Sequence, residues 1–153
     1  FEQQWGQHSA ILKPGDNHTM LLFDNGNDRS YINPVLPTSN YSRMVEYTFD
    51  ETNKTVVQNF EFGKSYGSTL FSPYISKVEY ITNDRFFVDF GGITKDINNN
   101  ATELVPTARN QFRLFEVDRN QNVYFDISIK NPNTSDPQLI GFRSYRAYRF
   151  NFK

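Results

Sequence analysis

A four-strand unit that occurs twice is the feature that most restricts what this chain can fold into. Residues 21–26 (LLFDNG) resemble residues 86–91 (FFVDFG), and the hairpin at 47–60 resembles the one at 115–127. The second copy follows the first about 65 to 68 residues further along the chain. Each copy has room for two hairpins, and tandem units of four antiparallel strands are typical of β-propeller blades.

The strands themselves are predicted by aromatic and β-branched runs between Asn-, Asp- and Gly-rich turns. Aromatic residues make up 16% of the chain, and no segment repeats with the 3.6-residue period of an α-helix. The predicted strands are residues 9–13, 19–23, 44–49, 55–62, 77–81, 85–90, 112–117 and 123–130. An aromatic and arginine-rich run at 142–152 predicts a further, trailing strand.

These patterns predict an all-β fold, a partial β-propeller in residues 1–153 with antiparallel four-stranded blades. The first blade covers about 5–63, the second about 72–130, and the trailing strand about 141–152. Two blades and one strand cannot close a ring. We therefore expect missing blades, a second copy or another polypeptide to cover the open faces, and we interpret the start of the chain, which lacks Met and a charged leader, as a cut edge. A two-sheet sandwich is the alternative.

Composition excludes several classes of function. The net charge is −1 with mixed signs, so there is no electrostatic footprint for nucleic acid, and no apolar run has the length of a membrane span. Cysteine is absent, which excludes disulfides and thiolate metal sites. The two histidines, His8 and His18, are flanked by no acidic ligand spacing, so neither a metal nor another cofactor is expected.

Three stretches carry a resemblance to a known family. They are residues 6–10 (GQHSA) with 21–29 (LLFDNGNDR), residues 41–47 (YSRMVEY) and residues 72–78 (SPYISKV). In this order and spacing they resemble the bacterial arylsulfotransferase family of β-propellers. The resemblance implies transfer of a sulfuryl group from an aryl sulfate donor to a phenol acceptor, through a transiently sulfated histidine and without a nucleotide donor. It also implies a periplasmic or secreted protein, often a homodimer.

The resemblance also suggests which residues act. His8 matches a family histidine that binds the sulfuryl group or assists proton transfer, and it is the predicted catalytic residue. Arg29 offers a planar fork of donors that suits a sulfate edge, and Asn25 can donate to the substrate. We expect His8 and Arg29 to meet at the inner edge of the first blade. The alternatives are a strand-end histidine without a catalytic role, an arginine paired with Asp24 or Asp28, and an asparagine that only shapes its turn.

The position of the sulfated histidine stays open at this point. No histidine follows His18. If the nucleophile belongs in the second blade, it is absent there, and it lies either upstream or in another chain. A non-catalytic propeller that binds an anionic or aromatic ligand is therefore a second hypothesis, and a structural β-sandwich module is a third.

Overall fold

The computed structural model describes residues 2–132 and 141–150, which form two antiparallel β-sheets of four strands each. The first sheet contains β1 (His8–Lys13), β2 (Asp16–Asp24), β3 (Arg43–Asp50) and β4 (Thr55–Phe62). The second contains β5 (Lys77–Thr82), β6 (Arg85–Lys95), β7 (Arg109–Asp118) and β8 (Val123–Ile129). Strands pair in chain order within each sheet. The predicted all-β class and the two four-stranded antiparallel units are confirmed.

The connections contain two short 3₁₀ helices, Pro37–Ser39 and Lys64–Leu70. Both strands of the β6–β7 pair are longer than predicted, because pairing continues past a register shift between Phe90 and Ile93. The connection between them therefore covers residues 96–108 instead of 91–111. Within the part of the chain that the structure describes, no helix is long and apolar enough to cross a membrane.

The repeat seen in the sequence extends to the turns that close the outer hairpins. Asp50 ends β3, and its carboxylate accepts a hydrogen bond from the backbone N–H of Asn53 at 2.9 Å. Asp118 ends β7, and its carboxylate accepts one from the N–H of Asn122 at 3.0 Å. An aspartate that bonds the backbone a few residues ahead stabilises a turn. The same local chemistry therefore turns the chain at the same place in both sheets.

One face of each sheet packs against the other through aromatic rings. Phe23 and Phe90 meet edge to face with their centroids 5.0 Å apart, and Phe60 stacks on Phe86 at 5.1 Å. Strands β1 and β2 also lie against β5. Among the described strands, none moves from one sheet to the other, unlike the Greek-key connections of many sandwiches. The arrangement is that of two neighbouring propeller blades. The buried side chains of this interface are Leu21, Phe23, Met44, Phe60, Phe62, Leu70, Val78, Phe86, Val88, Phe90, Ile93, Phe115 and Val117.

Residues 141–150 do not form the predicted trailing strand, and residues 151–153 lie outside the described residues. The segment makes one isolated bridge, between Gly141 and Asn110, and then crosses the second sheet. There the Ser144 hydroxyl donates to Oδ2 of Asp89 at 2.6 Å, and the Ala147 N–H donates to the same atom at 3.0 Å. Side-chain and backbone bonds to this carboxylate replace the strand ladder that we expected.

Asp89 makes the stability of the fold depend on pH. Its side chain is fully buried, and Oδ1 has no hydrogen-bond partner among the described residues. Burial raises the pKa of Asp89 from 3.8 to about 6, although the bonds from Ser144 and Ala147 act in the opposite direction. A carboxyl whose pKa is higher in the folded state stabilises the fold at low pH, and this contribution is lost as the pH rises through the folded pKa.

We predict that Asp89→Asn weakens this dependence on pH. Between about pH 4 and pH 7, the free energy of unfolding of the wild type should fall by about 2 kcal/mol relative to the variant, since one pKa unit corresponds to about 1.4 kcal/mol and part of the change already occurs below about pH 4. Urea unfolding at several pH values measures the difference, with the exposed carboxyl variant Glu51→Gln as control. Parallel pH profiles for wild type and Asp89→Asn would contradict the assignment.

Candidate functional site

His8 begins β1, at the edge of the first sheet that lies against β5. Its side chain is exposed, and the register of β1 on β2 shifts between His8 and Ile11. The next residue, Ser9, has a φ of 55°, in the left-handed region that residues other than glycine rarely adopt. Irregularities of this kind re-aim a side chain at the end of a strand. The imidazole is therefore presented to solvent at the junction of the two sheets.

The imidazole is held by a buried asparagine. Nδ1 of His8 lies 2.7 Å from Oδ1 of Asn25, which directly follows β2 and is fully buried. Nδ2 of Asn25 donates to the carbonyl oxygens of Ser72 at 2.7 Å and Ile75 at 2.9 Å. The Ser42 hydroxyl donates to the Asn25 carbonyl at 2.6 Å. The sequence predicted that Asn25 either donates to the substrate or shapes its turn; in the structure both ends of its amide bond protein atoms, and it lies behind His8.

The two carbonyls that orient Asn25 belong to the connection leading into β5. Ile75 and Ser76 have φ angles of 51° and 92°. A β-branched residue at positive φ is strained, and such strain clusters at functional sites. The connection is held in place by the Ser76 hydroxyl, which lies 2.9 Å from that of Ser72 and accepts a hydrogen bond from the Gly91 N–H at 3.1 Å. The second sheet therefore supplies the rigid support behind His8.

Arg29 lies on the opposite face of the first sheet. It is only 8% exposed, and it donates to Oδ2 of Asp24 and to Oδ1 of Asn40, each at 3.2 Å. Asp24 and Asn25 are successive residues at the end of β2, so their side chains point to opposite faces. The structure therefore does not bring His8 and Arg29 together as we expected. Arg29 forms the ion pair with Asp24 that was the alternative interpretation.

The ion pair of Arg29 is part of a larger buried network. Arg43 is fully buried, and its Nε donates to Oδ2 of Asp24 at 2.9 Å, while Nη1 donates to Glu61 and to Glu2. Burial alone would lower the pKa of Arg43, but the hydrogen bonds to Glu61 and Asp24 outweigh it and raise that pKa. Lys64 also pairs with Glu2, so three carboxylates face three cations and each described cation of this network is already paired.

The second histidine is far from this arrangement in the fold. His18 lies in β2 beside the turn that joins it to β1, with 65% of its side chain exposed next to Asp16. Across residues 2–132 and 141–150, no group of three or more potential ligands is placed to hold a metal ion. His8 is therefore the one imidazole of the described chain that lies at the sheet junction.

A basic cavity of about 760 Å³ lies near the ends of β6, β7 and β8. It is lined by the basic residues Lys95, Arg109, Arg113 and Lys130. No carboxylate lies among the described residues of its wall. Arg113 is neutralised by Asp126, at 2.6 Å. The cavity has the charge to attract an anion, and it is separate from the His8–Asn25 pair.

Comparison with known proteins identifies the family of these paired blades. The Arylsulfotransferase (ASST) family profile matches residues 1–138. The chain belongs to this family, and the resemblance seen in the sequence is confirmed. Two proteins named arylsulfate sulfotransferase AssT, from Escherichia coli O6:H1 (strain CFT073) and Lelliottia amnigena, are 40% and 39% identical to it over 92 residues. The aligned region covers 60% of this chain and 15% of each relative.

Sequence reasoning named His8 and Asn25 but missed the residues that hold them. Ser42, Ser72 and Ile75 lie within the stretches 41–47 and 72–78 that carried the family resemblance. That resemblance was the only signal that singled them out, because their contacts with Asn25 join residues that are distant in sequence and two of the three are made by backbone carbonyls.

We predict that Arg29 contributes to stability rather than to substrate binding. Arg29→Ala removes one partner of a buried ion pair and should lower the free energy of unfolding by about 3 kcal/mol, measured by urea unfolding. Arg146→Ala, which removes an exposed arginine, should change it by less than about 0.5 kcal/mol. A folded Arg29→Ala variant with unchanged stability but abolished sulfuryl transfer would contradict this assignment and return Arg29 to the substrate site.

Proposed function

We propose that this chain forms part of an arylsulfate sulfotransferase in which His8 accepts the sulfuryl group. The observation that carries the proposal is the presentation of His8, exposed at the junction of two blades and anchored through Nδ1 to a buried amide. Membership of the arylsulfotransferase family and the names of the two relatives support the reaction class.

The proposed chemistry has two displacements at sulfur. In the first, the lone pair on Nε2 of His8 attacks the sulfur of an aryl sulfate ester. The bond from sulfur to the aryl oxygen breaks, and its electron pair leaves with the phenolate. In the second, an acceptor phenol that has lost its proton attacks the same sulfur. The N–S bond breaks, its electron pair returns to Nε2, and the acceptor's proton passes through solvent to the first phenolate.

The hydrogen bond behind the ring assists both displacements. When Nε2 bonds to sulfur, positive charge develops on the imidazole while Nδ1–H still donates to Oδ1 of Asn25. A fixed acceptor at this position stabilises the charge that develops and needs no reorganisation during the reaction. No nucleotide or other cofactor takes part in this proposal.

The remaining expectations about partners and location belong to the same proposal. We propose an aryl sulfate donor and a phenol acceptor as substrates and a periplasmic or secreted location, as the family resemblance implies. The outer strand β8 exposes Tyr124, Phe125 and Ile127. Exposed apolar groups on an edge strand support the expectation that further blades or a second copy of the chain cover this side.

We predict that His8→Ala abolishes transfer in the full-length protein. With p-nitrophenyl sulfate as donor and a phenol as acceptor, the rate of p-nitrophenolate release should fall by about 10³-fold or more, because the nucleophile is removed. His18→Ala is the matched control, since it removes the other imidazole from a distant turn, and it should leave the rate within about twofold.

Near-normal turnover by a folded His8→Ala variant would remove His8 from the mechanism. If the wild type itself releases no p-nitrophenolate but binds phenyl sulfate, the second hypothesis of a non-catalytic anion-binding propeller is favoured. The basic cavity around Lys95 and Arg109 is the specific feature that supports this alternative.

A further inference from the structure

We infer that Asn25 is a positioning residue that fixes the tautomer of His8, so that the lone pair lies on Nε2. This inference rests on the proposed role of His8 in sulfuryl transfer. It changes the expected role of Asn25 from a substrate contact to a group that acts through the histidine.

The orientation of the Asn25 amide is fixed by the backbone carbonyls around it. Its nitrogen faces the carbonyl oxygens of Ser72 and Ile75, at 2.7 and 2.9 Å. Backbone carbonyls only accept hydrogen bonds, so the amide N–H groups must point to them. The oxygen, Oδ1, therefore has to face His8. The reversed amide would set its acceptor oxygen against the two carbonyl oxygens, which is costly in a fully buried group.

The orientation of the amide decides which ring nitrogen of His8 carries the hydrogen. Oδ1 of Asn25 is only an acceptor, so Nδ1 of His8, 2.7 Å away, must carry the hydrogen of this bond. A neutral imidazole carries a single N–H, and the other nitrogen then holds a lone pair. The lone pair is consequently on Nε2, the atom that the proposed reaction requires. A histidine without this partner has access to the opposite tautomer, in which Nε2 bears the hydrogen.

The two repeated sheets differ at the positions of His8 and Asn25. His8 pairs with Phe23 in the first sheet, and Val78 pairs with Val88 at the matching place in the second. The position that matches Asn25 is Phe90, which is buried in the core between the sheets. The second sheet therefore has apolar residues at both positions, Val78 in place of His8 and Phe90 in place of Asn25.

The test compares two substitutions of Asn25 with one substitution of Asn40, another buried asparagine. Asn25→Leu and Asn25→Asp both lose the donors to Ser72 and Ile75, but only Asn25→Leu loses the acceptor for His8. Asn40 is 1% exposed and makes three similar hydrogen bonds on the opposite face, to Gly26, Arg29 and Tyr41. Asn40→Ala is therefore the control for lost stability without a change at His8.

Two measurements are made on each full-length variant that thermal unfolding shows to be folded. Histidine ¹⁵N chemical shifts report the tautomer, with the His8 signals assigned by their loss in His8→Ala. The second measurement is kcat/KM for sulfuryl transfer from p-nitrophenyl sulfate. We expect the Nδ1–H tautomer in the wild type, Asn40→Ala and Asn25→Asp. In Asn25→Leu the population should shift toward Nε2–H, and kcat/KM should fall by at least about tenfold, the low end for loss of a group that orients a functional histidine.

Retention of the Nδ1–H tautomer in Asn25→Leu would overturn the inference, as would equal losses of kcat/KM in Asn25→Leu and Asn25→Asp. These results are distinguishable from failure of the proposed function. If His8→Ala keeps its activity, the proposed function fails, whereas the ¹⁵N shifts still report whether Asn25 controls the tautomer.

Discussion

Aromatic packing between the two sheets holds the molecule together and fixes the surroundings of His8. Phe23 and Phe90 are in direct contact across the interface, as are Phe62 and Phe115, whose ring centroids are 5.2 Å apart. This packing holds the end of β2 against the connection at 72–76, and only there can the Ser72 and Ile75 carbonyls reach the Asn25 amide. The geometry around His8 is therefore produced by two blades together, and neither sheet alone contains it.

The end of β2 carries two different tasks on two successive residues. The Asp24 side chain lies on one face and forms buried ion pairs with Arg29 and Arg43. The Asn25 side chain lies on the other face and contacts the imidazole of His8. The first task stabilises the connection that follows β2, and the second orients the imidazole of His8. Because a β-strand alternates its faces with a period of two, adjacent residues can serve both needs without sharing a contact.

Much of the fold could be predicted from the sequence, because aromatic runs and Asp- or Asn-rich turns are local signals that recur in both sheets. The site could be predicted only in part. His8 and Asn25 stand out in the sequence, but their partnership depends on the pairing of β1 with β2 and on a connection from the second sheet. Arg29 was misplaced because residue type indicates an affinity for sulfate but not the face to which a side chain turns. The prediction of a trailing strand was wrong for a similar reason. Residues 141–150 bond to the buried Asp89 carboxylate through Ser144 and Ala147 and do not pair as a strand.

Detection of a covalent intermediate would show whether His8 carries the sulfuryl group. The full-length protein is mixed with p-nitrophenyl sulfate in the absence of an acceptor phenol, quenched under conditions that preserve an N–S bond, digested and mapped by mass spectrometry. We expect one sulfuryl group per active site, on the peptide that contains His8, formed together with an initial burst of p-nitrophenolate. A sulfuryl group on a different residue, or a burst with no modification of the His8 peptide, would contradict the account.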